Sequence, residues 1–226
     1  MERCGFKPRC NLLTAIIAGD RPIQQRRGSD WLWSFQLRIL TFSLVLRCGR
    51  FGRASGVFAG AGWDTKLENL FGEVNESVRA YGVGGHRHVA EIEQELDLAG
   101  AGAVNPGIRG IDFLPHLVPM TRGILVAAHV RPTRPTSQAE LDALFAGAYA
   151  GEPFVTVVAT PPATKHVTGS NEARLHVSFD PRTGRILVLA VLDNLVKGAA
   201  GQAVQSFNLV QGLPETAGLE QLPLAP

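Results

Sequence analysis

Cysteine is scarce: three in 226 residues, at Cys4, Cys10 and Cys48. Three thiols build neither a disulfide framework nor a four-cysteine zinc module. The sequence contains no HExxH and no CxxC, so the usual zinc signatures are missing and no metal is expected. Net charge is only +2, too small to point to a nucleic-acid partner. The longest apolar run, Trp31–Leu46, has 16 residues and contains Gln36 and Arg38. A membrane span needs ~20 predominantly apolar residues, so no membrane partner is expected. Nor is there a Walker motif. Gly60-Ala-Gly62 does not continue into GxGxxG, and Gly82-Val-Gly-Gly85 opens onto His-Arg-His rather than a dinucleotide turn.

What is present suffices for a folded domain. Hydrophobic residues make up 45% and charged residues 19%, which excludes wholesale disorder. The charge is unevenly spread. Residues 1–55 carry 10 basic and 3 acidic residues, net +7; residues 56–226 carry 12 and 17, net −5. All the cysteines and two of the three tryptophans fall in the first part. A boundary is therefore expected near Ser55, between an atypical basic leader (1–55) and a domain (56–226). The leader has no signal-peptide layout and fits an organelle-targeting peptide poorly. It reads as an extension without a defined role, or as sequence read from a wrong start or frame. The chain as a whole reads as soluble and cytoplasmic.

Period-two apolar runs recur in the domain. Strands are expected at 111–114, 123–131, 154–158, 174–179 and 185–192. Asp180-Pro-Arg-Thr-Gly184 joins the last two as a tight turn, so they form an antiparallel hairpin. Helices are expected over 89–98, over 137–149 with Thr136 or Ser137 as N-cap and Glu140 at capping-box spacing, and over 197–213. The last carries Ala199, Ala203, Val204, Phe207 and Val210. Antiparallel strands interspersed with helices imply an α+β fold, a mostly antiparallel sheet covered on one face.

Three polar clusters could carry chemistry. In Gly82-Val-Gly-Gly-His-Arg-His88, His86 and His88 would share a face of an extended strand. With Arg87 they suit acid–base chemistry on an anion; a satisfied histidine pair on a loop is the alternative. A metal would need a third ligand, such as Glu91 or His116. Arg122, beside Gly123, can hold a carboxylate or phosphate, or simply be a solvated arginine on a tight connection. Thr164–Asn171 places Lys165, His166, Ser170 and Asn171 as donors on one loop, or forms a polar surface loop.

From about Gly56 to Pro226 the chain resembles the carboxy-terminal part of N-acetyl-gamma-glutamyl-phosphate reductase. The stretches that carry the resemblance include KLENLFGEVNESVRAYGVGGHRH, PHLVPMTRGIL, TKHVTGSN, RTGRILVL, DNLVKGAAGQAVQ and GLPETAGL, in order along the chain. Aspartate-semialdehyde dehydrogenases share the DN…KGAAGQAVQ ending, but GHRH and PHLVPMTRG point to the reductase. The resemblance implies a carboxy-terminal domain of the glyceraldehyde-3-phosphate/aspartate-semialdehyde dehydrogenase type. It also implies NADP(H) as cofactor and reduction of N-acetyl-glutamyl 5-phosphate to the semialdehyde with phosphate release, in arginine biosynthesis. A cysteine thiolate would attack the acyl phosphate and a histidine would manage the proton. His88 is the expected acid–base residue, with His86 as its alternative. Arg87, Arg122 and Lys165 would bind the substrate, and Asn194 and Gly198 would reach the nicotinamide. The helix from Lys197 would dock on a Rossmann domain through an Ala/Gly-rich face. That domain's glycine fingerprint is missing, as is the PGCYPT-like motif. The nearest match, Pro8-Arg-Cys10, makes Cys10 the candidate nucleophile. A partial enzyme is therefore expected, acting as a homo-oligomer or with a chain that carries the Rossmann half. A non-catalytic binding or dimerisation module, or one half of a split reductase, is the competing expectation.

Overall fold

A computed structural model describes residues 53–59, 71–99, 111–132 and 134–224. The leader through residue 52, including Cys10 and the run 31–46, lies outside the described residues.

The best-specified local structure is the hairpin of β6 (Ala173–Asp180) and β7 (Arg185–Leu192), paired from Ala173↔Leu192 to Asp180↔Arg185. Its turn closes because Asp180 accepts four times: backbone O from Thr183 N at 3.3 Å and Gly184 N at 2.8 Å, Oδ1 from Arg182 N and Oδ2 from the Thr183 hydroxyl. Gly184 sits at φ 65°, a left-handed corner that glycine adopts without penalty. The bonds to its carboxylate, led by that of the Thr183 hydroxyl, hold the Asp180 carboxyl below its usual range.

Onto β7 pairs β4 (Ile124–Val130), antiparallel. Next comes β1 (Arg53–Ala59), antiparallel to β4 and parallel to β3 (Asp112–Leu117). The two-residue β2 (Arg79–Ala80) closes one edge and β5 (Val155–Val157) the other. The seven-stranded order is β2-β3-β1-β4-β7-β6-β5, with four antiparallel and two parallel pairings. This is the α+β, mostly antiparallel sheet expected from the patterning.

Alternation chooses the core face. Val126, Ala128 and Val130 of β4, Leu175 and Val177 of β6, and Ile186 and Val188 of β7 are all buried. Residues between them, such as Leu125 and Leu187, are half-exposed on the other face. The core face is covered by α3 (Gln138–Ala148), through Leu141, Leu144 and Phe145. Two helical segments precede it among the described residues, the one-turn α1 (Phe71–Val74) and α2 (His88–Ala99). Each fully buried large side chain contributes ~1.5–3 kcal/mol. Ser137 is the N-cap of α3, its hydroxyl accepting from Glu140 N. The reciprocal half of a capping box does not form: the Glu140 carboxylate bonds to the Thr136 hydroxyl and Arg134 instead.

The last helical segment differs most from expectation. It begins as a π-turn over Val196–Ala200 and continues as α4 (Gly201–Gln211), ended by Gly212 at φ 68°. Its inward face is polar, made of Gln202, Gln205 and Asn208, while Val204, Phe207 and Val210 face outward. The reason is what it sits on. Gln205 Oε1 accepts from Asn171 Nδ2 at 3.0 Å and from Lys197 Nζ at 2.5 Å; Gln205 Nε2 donates to Glu215. Asn208 Nδ2 bonds the Glu215 and Ala217 carbonyls, tying down the tail. Burial lowers the Lys197 pKa to about 8, opposed by Glu215 and Glu152. Close approach here is permitted by Gly201, where a Cβ would overlap Asn171 Oδ1.

Candidate functional site

The histidine loop hangs from edge strand β2. Tyr81 N bonds Pro115 O, and the chain then turns through Gly82 and Gly84, both at positive φ. At Gly82 a Cβ would lie 2.8 Å from the His86 ring, so glycine is what lets the loop fold back over that histidine. His86 and His88 do not lie on an extended strand, as their spacing suggested. They stand at the entry to α2, where His88 is the first helical residue. Their rings meet edge-to-face at 4.7 Å, and His88 N donates to His86 Nδ1 at 3.2 Å. Tyr81 and Phe113 complete the surroundings of His86, at 5.5 and 5.2 Å between ring centroids. The His86 pKa is lowered, first by desolvation and then by His88 and Arg87, against Glu91. Tyr81 is raised, chiefly by desolvation. Arg87 is exposed. Tyr81 was not anticipated; an aromatic directly before the glycine turn was the available signal.

The second group gathers at one end of the sheet. Asp193, fully buried, follows β7. Its Oδ1 accepts from Leu195 N at 2.8 Å and Val196 N at 3.2 Å; its Oδ2 accepts from Gly169 N at 2.6 Å and Arg122 Nη1 at 3.2 Å. Asn194 Oδ1 accepts from Gly123 N at 2.7 Å. Gly123, at φ 113°, lies against Thr164, whose Cβ would be 2.8 Å from a Cβ added there. Arg122 and Lys165 therefore flank one contact between two loops. Lys165 is exposed on the 3-10 turn Thr164–His166, and His166 Nδ1 accepts from Ala163 N. Ser170 and Asn171, expected as surface donors, are buried instead. Ser170 bonds the Val167 carbonyl and Asn171 bonds Gln205. Gly198 is exposed on the π-turn, its N–H bonded to Asp193 O at 2.8 Å. Asp193 was missed because only the folded chain shows four donors converging on it.

The structure brings Arg122, Lys165, Asn194 and Gly198 to one sheet end but carries the histidines elsewhere. Arg79 pairs with Leu117 and Ala80 with His116, so the loop after β2 runs back toward Phe113. The Arg122 loop leaves from beyond Leu117, four residues and ~13 Å of strand away. His116 Nδ1 lies 3.1 Å from Leu114 O. Among the described residues no three His, Cys, Asp or Glu side chains group to hold a metal ion. No helix among them is long and apolar enough to cross a membrane.

The sheet and the loops at its end are matched over residues 52–194 by the family model described as "Semialdehyde dehydrogenase, dimerisation domain", and the chain belongs to that family. Within it, the chain is similar to proteins named N-acetyl-gamma-glutamyl-phosphate reductase. It is 54% identical over 175 residues to that of Geobacter metallireducens, 53% over 176 to that of Citrifermentans bemidjiense and 46% over 174 to that of Geobacillus kaustophilus. Each match covers 76% of this chain and 49% of the relative, so the chain spans about half the length of the curated relatives it matches. Among solved structures, aspartate semialdehyde dehydrogenase II of Vibrio cholerae aligns with TM-score 0.54 at 16% identity, over 80% of this chain and 61% of that one. A probable aspartate-semialdehyde dehydrogenase of Pseudomonas aeruginosa aligns with TM-score 0.52, also at 16% identity, over 80% and 60%. These structures share the fold.

Proposed function

We propose that this chain supplies the substrate-side part of an NADPH-dependent reductase. The reaction converts N-acetyl-glutamyl 5-phosphate to N-acetyl-glutamate 5-semialdehyde with release of phosphate, in cytoplasmic arginine biosynthesis. The observation that carries the reading is the identity of about half of all aligned residues with the named reductases.

The histidine pair is assigned the proton. His86 Nδ1 is occupied by the His88 backbone N–H, so a neutral His86 carries its proton on Nε2 and acts as a donor. Desolvation, His88 and Arg87 all favour that neutral form. His88 is then the residue that exchanges the proton with substrate, and His86 is the alternative. Arg87, beside the histidines, and Arg122 and Lys165, at the other sheet end, are assigned to different anionic groups of the substrate. The thiol of Cys10, the assigned nucleophile, lies outside the described residues.

NADPH, when bound, supplies the hydride. The described residues fit only one end of it. Asn194 and Gly198 would meet the nicotinamide, with Asn194 Nδ2 available because Oδ1 is taken by Gly123. No glycine-rich phosphate loop of the dinucleotide type occurs among the described residues. Turnover therefore requires a dinucleotide-binding half, and the exposed side of α4 is its docking face. The half-exposed sheet face around Leu125 and Leu187 is assigned to a second copy, in keeping with the family's description.

The description of the matching family model as a dimerisation domain favours one second reading: a non-catalytic binding or dimerisation module, or one half of a split reductase. The test is phosphate-dependent oxidation of N-acetyl-glutamate semialdehyde by NADP+, followed as NADPH formed. The purified chain is assayed alone and mixed with the dinucleotide-binding half of a bacterial reductase. Turnover that depends on both is expected. Two folded, associating halves without turnover would leave the binding module.

A further inference from the structure

Asp193 carries more hydrogen bonds than a turn requires. It is fully buried, and each oxygen accepts twice. Leu195 N and Val196 N belong to its own turn and account for Oδ1. The two bonds to Oδ2 come from elsewhere: Gly169 N, on the loop entering β6, and Arg122 Nη1, on the loop entering β4. The partners are 24 and 71 residues away in sequence. Two otherwise independent loops are therefore held on one buried oxygen.

The geometry of Arg122 is the telling part. Its side chain is 39% exposed while Asp193 is not exposed at all. The pair is single-pronged: only Nη1 reaches the carboxylate. A guanidinium has five N–H donors in a planar fork. With Nη1 held from beneath, the Nε–H and Nη2–H edge remains, and no bond to it occurs among the described residues. That edge matches the two oxygens of a carboxylate. Nearby, Asn194 fixes Gly123 N, so the backbone beside the guanidinium is also restrained.

The geometry points to Asp193 as a positioning residue: it orients Arg122 so that its free Nε/Nη2 edge takes a planar oxyanion, the carboxylate of an N-acyl amino acid. This rests on the substrate-side role given to Arg122 above. Asp193 itself touches no ligand. It acts through Arg122, and it does so against its own charge. A buried carboxylate beside an anion site lowers the local positive potential, so simple electrostatics would make its removal strengthen anion binding. Positioning makes the opposite prediction, because a freely rotating guanidinium loses the pre-organised fork.

The experiment uses the full chain and two probes, N-acetyl-L-glutamate and inorganic phosphate, titrated calorimetrically. A parallel readout is the Arg122 Nε–H resonance in a nitrogen-15 spectrum. For D193N the expected result is about tenfold weaker N-acetyl-L-glutamate binding, with loss of the slowly exchanging Nε–H signal. In an R122A background D193N should then change affinity no further. Arg122→Lys keeps the charge and a bond to Asp193 but lacks the fork; it should weaken N-acetyl-L-glutamate about tenfold and phosphate less, and it serves if D193N does not fold. Equal or tighter binding by D193N, or an Nε–H signal unaltered by it, overturns the proposal. So does an additive loss in the R122A background. If R122A binds N-acetyl-L-glutamate as wild type does while D193N still abolishes the Nε–H signal, the substrate role of Arg122 fails and its orientation by Asp193 stands.

Discussion

The amide oxygen of Asn171 occupies the space that a Cβ on residue 201 would need, so only glycine fits there. Asn171 precedes β6 and Gly201 begins α4, and this contact is where the last helix meets the sheet end. Val196 closes the other side, with its Cγ1 at 2.8 Å and its carbonyl at 2.9 Å from the same point. Gly201→Ala must displace backbone as well as side chain. We expect a loss of about 1–3 kcal/mol, the usual range for overpacking, read as a lower denaturant midpoint with unchanged slope. A neutral result would mean that α4 sits farther from Asn171 than described.

Lys197 lies under α4 with its pKa depressed to about 8 from 10.5, chiefly by burial. Between those values the unfolded chain keeps a proton that the folded chain has released. Stability therefore rises with pH across that window, and the cost of the buried charge is fully present below about pH 8. The full span corresponds to roughly 3 kcal/mol. Lys197→Met removes the titrating group and leaves Gln205 its bond to Asn171. The stability difference between wild type and the K197M variant is measured by chemical denaturation at neutral and at alkaline pH. It should move in favour of wild type as pH rises. A difference independent of pH would contradict the burial of a charged amine.

Ser137 caps α3 through a single bond to Glu140 N at 3.3 Å. The Glu140 carboxylate is directed to Thr136 and Arg134 and does not reinforce the cap. Ser137→Ala should cost about 1 kcal/mol and Ser137→Asp very little, because an acidic side chain also suits a helix N-terminus. Equal losses for the two variants would assign the effect to something other than the cap.

Phe207 is 58% exposed on the outward side of α4, next to the exposed Val204 and Val210. Its truncation removes little buried surface. Phe207→Ser is expected within about 0.5 kcal/mol of wild type in stability. If the stripe drives association, the same variant should also raise the concentration at which light scattering detects assembly. A large stability loss would show that the stripe is covered within the chain.

Much of this architecture was legible in the residue pattern because its determinants are local. Strand alternation in 185–192, the Asp180-Pro-Arg-Thr-Gly184 turn and the cap at Ser137 each depend on neighbours within a few positions. Their boundaries accordingly agree closely with expectation. The helix after Lys197 was harder to read. Its apolar positions suggested which residues mattered, but their direction depends on what lies beneath the helix. The loop before β6, the π-turn and the tail present Asn171, Lys197 and Glu215, so the polar face turns inward. Periodicity specifies that a helix has two faces without saying which one finds a matching surface.

The candidate site divides in the same way. Histidine, arginine and glycine side chains in GHRH and TRG announce their chemistry through residue type, and family membership follows from the order of such stretches along the chain. That much is written in the sequence alone. Which of these groups share a site depends on strand order and direction. Pairing β2 with β3 sends His86 toward Phe113, while the β4, β6 and β7 connections bring Arg122 and Gly169 onto the Asp193 carboxylate. Contacts across 71 residues arise only when the sheet assembles, because loop closure and strand register decide them.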